Sequence, residues 1–173
     1  ALGYSTSTEE FVNKNNKIRY ISTDQIVAGV ELIPNENIQI TMEGFMKFYS
    51  RYPFSVRDSV PLGSKSADYG IFGDEELLSI SDVRAYGVEL LGRFKEFKRI
   101  NLVFSYTYVR SEFKDIDSKW IASSWDNRHL LSLTATKKFN RNWDFGFKWR
   151  FVGGAPYTPY DINMSMLKAA WVL

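Results

Sequence analysis

Cysteine is absent from the 173 residues, so neither a disulfide framework nor a thiolate metal site can form. Histidine occurs once, at His129, and makes no metal centre unless carboxylates supply the remaining ligands. Neither sign of charge dominates. Against 22 basic residues stand 20 acidic ones, and a net charge of +2 excludes nucleic-acid or anionic-membrane binding driven by a charged patch. No run of about 18 apolar residues exists, which excludes a transmembrane helix. A mean hydropathy of −0.27 leaves strand-built membrane proteins open, because barrel strands hide their apolar half in alternation. The opening ALGYSTSTEE has neither the basic region nor the apolar stretch of a signal peptide, so an exported protein with this sequence is expected to be a mature or internal fragment.

Aromatic residues, by contrast, are plentiful: ten Tyr, thirteen Phe and five Trp. Between Trp143 and Phe151 every second residue is aromatic (Trp143, Phe145, Phe147, Trp149, Phe151), and between them lie Asp144, Gly146, Lys148 and Arg150. Side chains alternate across a strand, so one face is wholly aromatic and the other mostly charged. Burying each aromatic is worth roughly 1.5–3 kcal/mol, and the face needs an apolar partner, either a protein core or a bilayer. Five further runs share this period of two: Asp24–Ile33, Ile38–Tyr49, Val83–Phe94, Asn101–Ser111 and Arg128–Phe139. Six strands are therefore predicted, the last being Trp143–Val152.

Connections alternate in length. PNEN (34–37), KEFKR (95–99) and NRN (140–142) suit tight antiparallel hairpins, whereas roughly 50–82 and 112–127 are long and a third stretch opens at Gly153. Short turns at one end and long loops at the other are the asymmetry of an outer-membrane barrel. The predicted strands exceed the mean globular length of about 5–6 residues and suit a tilted span. A soluble β-sandwich or barrel that binds a ligand also alternates apolar and polar residues, and stands as the alternative. Six strands leave two open edges, and unpaired backbone cannot be left in lipid. The expected fold is thus all-β, an antiparallel up-and-down meander forming an unclosed part of a large transmembrane β-barrel.

VRAYGVELL (83–91), FSYTYVRSEF (104–113), SWDNRHLLSL (124–133) and FVGGAPYTPYD (151–161), with EGFMKFYSRYPFS (43–55), occur in series. Together they resemble the later barrel strands of TonB-dependent outer-membrane receptors, particularly those of Bacteroidetes type, over about residues 20–170. The resemblance implies active import of a scarce solute across the bacterial outer membrane, through a barrel of about 22 strands. It implies as partners the membrane lipid, the receptor's own plug domain and remaining strands, the TonB energy-coupling complex and an unidentified solute, with no cofactor. Neither a plug domain nor closing strands are found in residues 1–173, so the whole chain is expected to be partial barrel.

Candidate sites follow from the two faces. Glu43, Lys47, Glu89, Arg128, Lys148 and Arg150 point to the expected lumen, where they either meet the plug or solute or form a solvated, mutually paired wall. Trp143, Phe145, Phe147, Trp149 and Phe151 are expected to face lipid. Tyr52, Phe54, Tyr69, Phe72, Trp120, Trp125, Tyr157 and Tyr160 lie in or beside the long loops, placed to stack on a ligand or to pack the loops; Trp120 and Trp125 also suit an interfacial girdle. Gly87 within a strand points to a bulge or a close backbone approach. In GGAPYTP, the lack of a lysine and a following helix excludes a phosphate loop and favours a strand exit. Asp115 with Asp117, and Glu75 with Glu76, are read as solvated charge ahead of weak calcium ligands. An outer-membrane enzyme built on Ser123, Ser124, Asp126 and His129 ranks below both other readings, because 126 and 129 have opposite parity in one strand. No catalytic residue and no metal site are assigned.

Overall fold

The six runs become six long strands whose hydrogen-bonded order follows the chain. The computed structural model describes residues 2–5, 10–13, 15–65, 75–97, 99–115, 117–140, 143–157 and 162–166. Strands β1 (Leu2–Ser5) and β2 (Glu10–Asn13) pair as a separate hairpin. The main sheet contains β3 (Ser22–Asn35), β4 (Ile38–Ser55), the short β5 (Val60–Pro61), β6 (Leu77–Phe97), β7 (Ile100–Lys114), the short β8 (Trp120–Ala122), β9 (Arg128–Asn140) and β10 (Trp143–Val152). Its order is β3-β4-β6-β7-β9-β10, with β5 on the end of β4 and β8 on the end of β7. All pairings are antiparallel, so the expected all-β meander, open at both edges, is the observed fold. A 3-10 turn (Leu62–Ser64) and one helical turn (Ile162–Ser165) interrupt the pattern. Among the described residues no helix is long and apolar enough to cross a membrane, a fact that bears on helices and not on strands.

Turn chemistry explains the tight ends. Asn35 Oδ1 accepts the Asn37 N–H at 3.0 Å, and Asn101 Oδ1 accepts the Glu96 N–H at 2.9 Å. Such side chains substitute for backbone partners where a chain reverses. Glu96 and Arg99 take left-handed φ values of 55° and 64° in the same turn.

At the opposite end, β4 and β6 extend well past the predicted boundaries of Tyr49 and Val83. Register shifts fall between Tyr49 and Tyr52 and between Tyr52 and Pro53, and Arg51 has φ 60°. A bulge resets side-chain parity, which hides the strand extension from a period-two reading. The long connections accordingly shrink to 56–76 and 115–127, the latter containing β8.

Register decides the faces, since residues directly opposite one another project to the same side. One row runs Val30–Met42–Leu90–Tyr106–Leu131–Phe151 and the next Leu32–Ile40–Gly92–Phe104–Leu133–Trp149. A third joins Ile38, Phe94, Leu102, Ala135 and Phe147. The apolar alternates of all six strands therefore coalesce into one continuous face. Interleaved rows carry Glu31, Thr41, Leu91, Ser105, Ser132 and Arg150, and Gly29, Glu43, Glu89, Thr107, Leu130 and Val152. Among the described residues the buried side chains gather at the loop end: Phe54, Leu77 and Phe113, with Ser55, Glu75, Ser81, Glu112, Ser123 and Asp126.

Candidate functional site

Trp143, Phe145, Phe147, Trp149 and Phe151 all project from the apolar face and remain 47–75% exposed. No second sheet covers them among the described residues. The face changes character toward the loop end. Beyond Met46 and Tyr86, the row containing Phe48 brings Arg84 opposite Glu112. Arg84 and Arg110 each reach Glu112, at 2.7 and 2.8 Å, and Lys114 pairs with Asp82 at 3.0 Å. Trp120 lies in the next row on the same face: it sits in β8 opposite Lys114, with the Arg84 guanidinium 4.0 Å from its ring centroid and Lys114 Nζ at 5.3 Å. Just below, His129 lies between Tyr106 and Tyr108, its Nδ1 3.0 Å from the Tyr106 hydroxyl.

On the polar face, Glu43 and Glu89 are direct cross-strand neighbours, and Lys148 and Arg150 lie on β10, four strands along the sheet from β4 and three from β6. Ser105, Thr107, Ser132 and Thr134 occupy the ground between them. Among the described residues none of Glu43, Glu89, Lys148 and Arg150 is held in an ion pair. Lys47 instead lies 5.7 Å from the Phe45 ring centroid. The Glu43 stem covers Gly29 and the Phe45 ring covers Gly87, so side chains of β4 fill the space two neighbouring glycines leave. At Gly87 an added Cβ would also collide with the Tyr108 carbonyl, which is the close approach expected there.

The loop end holds the densest polar chemistry. Asp126 is 1% exposed. Its Oδ1 accepts the Ser111 N–H at 3.0 Å, while Ser123 N–H donates to the Ser111 carbonyl at 2.8 Å. Ser111 lies between the part of β7 paired with β9 and the part paired with β8, so the 123–127 segment fills that gap in the ladder. The other carboxylate oxygen faces Arg110 Nε at 3.5 Å and Arg128 Nε at 3.7 Å. Arg128 enters β9 with φ 60°. Asp126 and His129 thus have separate partners, the first within the ladder and the second on the apolar face.

Glu75, at the end of the 56–76 connection, is buried. Ser55 Oγ donates to its Oε2 at 2.5 Å, Lys65 binds its other oxygen, and Arg57 Nε stands 3.5 Å away. Burial alone would raise this carboxyl's pKa, but the hydrogen bonds from Lys65 and Ser55 and the two cationic charges outweigh it and hold it below the ordinary range. Lys65, which also pairs with Asp58, is held above its ordinary range despite its own desolvation. Asp115 spends a carboxylate oxygen on the Lys119 N–H at 2.8 Å, closing the β7–β8 turn. Among the described residues no three His, Cys, Asp or Glu side chains converge as metal ligands.

Of the aromatics expected in or beside the loops, Tyr52, which proves to lie in the extended end of β4, and Trp125 converge. Trp125 Nε1 donates to the Gly63 carbonyl at 2.8 Å, and Gly63 is packed so closely on the Tyr52 hydroxyl that a Cβ would strike it. They border a cleft of about 470 Å³, with Leu62 and Val83 as apolar wall and Lys65, Ser111 and Ser123 as polar groups. Trp120 lies away from it, Tyr157 is exposed, and Tyr69, Phe72 and Tyr160 lie outside the described residues. Gly63, Ser111 and Ser123 were not legible as cleft residues, because nothing in sequence spacing relates PLGS to SSWDN. No protein-family model matches the chain, and no curated protein matches it significantly.

Proposed function

We propose that this sheet is a segment of the wall of a large transmembrane β-barrel in the bacterial outer membrane, from a TonB-dependent receptor that imports a scarce solute. The observation that carries the reading is the register: six long strands gather their apolar alternates on one uncovered face. At about 3.4 Å per residue the stretch from Ile38 to Phe48 runs roughly 34 Å along its strand. Inclined by ~45°, it stands about 24 Å tall, close to the apolar band of an outer-membrane barrel. The adjacent rows of Arg84 with Glu112 and of Lys114 with Trp120 above it, with Tyr106, Tyr108 and His129 beneath, suit a headgroup boundary.

The polar face then lines the lumen, where Glu43, Glu89, Lys148 and Arg150 keep their charge in contact with water or a plug domain. Further strands of the same receptor pair with the free edges of β3 and β10, since open ladder groups are not tolerated in lipid. The loop end faces outward and meets the solute, and energy delivered through TonB moves the plug. A soluble sandwich needs a second sheet over the aromatic face, and the described residues supply none.

Depth-dependent quenching tests this directly. In single-tryptophan variants of the intact protein, Trp149 is expected to be quenched by lipids labelled in the acyl chain, and Trp125 by an aqueous quencher. A monodisperse protein in detergent-free buffer, with Trp149 shielded from both, would sink the membrane reading.

A further inference from the structure

The apolar face has two ends, and they treat their cations differently. At the loop end Arg84 and Arg110 both reach Glu112, and Lys114 pairs with Asp82, so the positive charge near Trp120 is matched from within the protein. At the turn end the same face carries Lys137. It stands two residues beyond Ala135 on β9, in a row with Ile100 of β7 and Phe145 of β10. β9 contains no acidic residue, and the only one on β10, Asp144, lies opposite Lys138 and so on the other face. Among the described residues Lys137 makes no ion pair; its Nζ lies 5.2 Å from the Phe139 ring centroid. Phe139, Trp143 and Phe145, at the same end, are 55–75% exposed.

An unmatched ammonium on an apolar face calls for an external anion. Lysine can lay its four methylenes along apolar surface and hold its charge at the boundary with water. From Ile100 to Glu112, β7 runs about 41 Å, or about 29 Å of height at ~45° inclination, slightly more than an apolar band of about 25 Å. The rows of Lys137 and Arg84 therefore stand at the two edges of such a band, where headgroup phosphates lie. One edge brings its own counter-ions, and the other leaves their place open.

We propose that Lys137 binds the phosphate of an anionic glycerophospholipid at the turn-end edge of the sheet, with Phe139 and Phe145 against the upper part of its acyl chains. The proposal rests on the barrel reading and adds a lipid preference confined to one edge. A net charge of +2 excludes recruitment by a basic patch. Here apolar burial holds the sheet in the bilayer, and Lys137 selects among the lipids already beside it.

The test uses the intact protein in phosphatidylcholine vesicles, with Trp143 as its sole tryptophan. Bromine on an acyl chain quenches only a ring it touches. Quenching by brominated phosphatidylglycerol against brominated phosphatidylcholine therefore gives the relative affinity of the two lipids beside Trp143. A preference of about fivefold for phosphatidylglycerol is expected, the effect of one lysine at an anionic surface. Lys137→Gln should abolish the preference and Lys137→Arg should keep it, while Lys138→Gln, on the opposite face, should leave it unchanged. With Trp120 as the sole tryptophan no preference is expected, because the cations there are already matched. Inorganic phosphate, added at constant ionic strength, should not displace the lipid. A preference that survives Lys137→Gln with native strand content by circular dichroism, one lost equally in Lys138→Gln, one seen equally at Trp120, or displacement by inorganic phosphate would each overturn the proposal. Equal quenching of Trp143 by both lipids removes this inference alone. Quenching by neither removes the barrel reading with it.

Discussion

Along β7, two adjacent stretches are built on different principles. From Ile100 to Val109 the strand is bonded to β6 on one side and β9 on the other, and its side chains stand partly exposed on both faces. From Arg110 to Phe113 the strand stays paired with β6 but on its other side exchanges β9 for the 123–127 segment and β8, and there Glu112 and Phe113 are buried and charges are matched to Arg84, Asp82 and Asp126. The first stretch is ordered by its backbone and leaves the solvation of its side chains to whatever lies outside. The second supplies its own core and its own counter-ions. A segment that needs a particular medium and one that does not are thus joined within fifteen residues of one strand.

The sharpest way to break the self-contained region is Asp126→Ala. It strands the Ser111 N–H and takes from Arg110 one of its two carboxylate partners, Glu112 remaining, and is expected to destabilise the loop end by about 3 kcal/mol. Protease susceptibility of the 115–127 connection in the folded protein would report it. For the wall, the matched test is Leu133→Arg against Thr134→Arg, adjacent residues on opposite faces. In vesicles the first should cost about 2–4 kcal/mol by denaturant unfolding and the second little, because only one face is asked to enter lipid. Equal costs would remove the distinction between the faces.

Acid separates the regions more gently. Glu75 and Asp58 have folded pKa values below their ordinary ones, so their contribution is full above the ordinary carboxylate range and is lost as pH falls through the folded values. Lys65 is raised, so its contribution is full below the ordinary lysine range and is lost as pH rises through its folded value. Hydrogen exchange at the described ends of the 56–76 connection should therefore accelerate at both pH extremes, while amides of β6 and β7 near Leu90 and Tyr106 hold. The smallest effect concerns Glu43 and Glu89. Glu89→Lys replaces a like-charged cross-strand pair with an opposite one and should stabilise the sheet by ~0.2–1 kcal/mol, read as a shift in the unfolding midpoint.

The wall was almost wholly legible in the sequence, because a strand with distinct faces writes its parity into every second residue. Trp143 to Phe151 is the clearest instance, and Arg128–Asn140, where Leu130 breaks the polar row, the weakest. The loop end was not legible, for two reasons. Bulges at Tyr49–Pro53 shift parity, so the end of β4 and the start of β6 no longer alternate in phase with the rest. Its stabilising contacts also join residues distant in sequence, as in Trp125 to Gly63 or Arg84 to Glu112, and no local pattern encodes such pairs. Trp120 shows the consequence: taken as a loop aromatic, it belongs to a strand and stacks under Arg84.

The shared register of the rows also governs how such a chain can change over generations. Inserting or deleting a single residue within β7 would turn every subsequent side chain of that strand over, sending Tyr106 toward the charged side and Ser105 toward the apolar one. Strand lengths are thereby frozen except in steps of two or through compensating bulges. The 56–76 and 115–127 connections are held at fewer points, among the described residues chiefly β5, β8, Glu75 and Asp126, and have more room to lengthen, shorten and diverge. Constancy of the sheet and change in its connections are thereby separated by geometry.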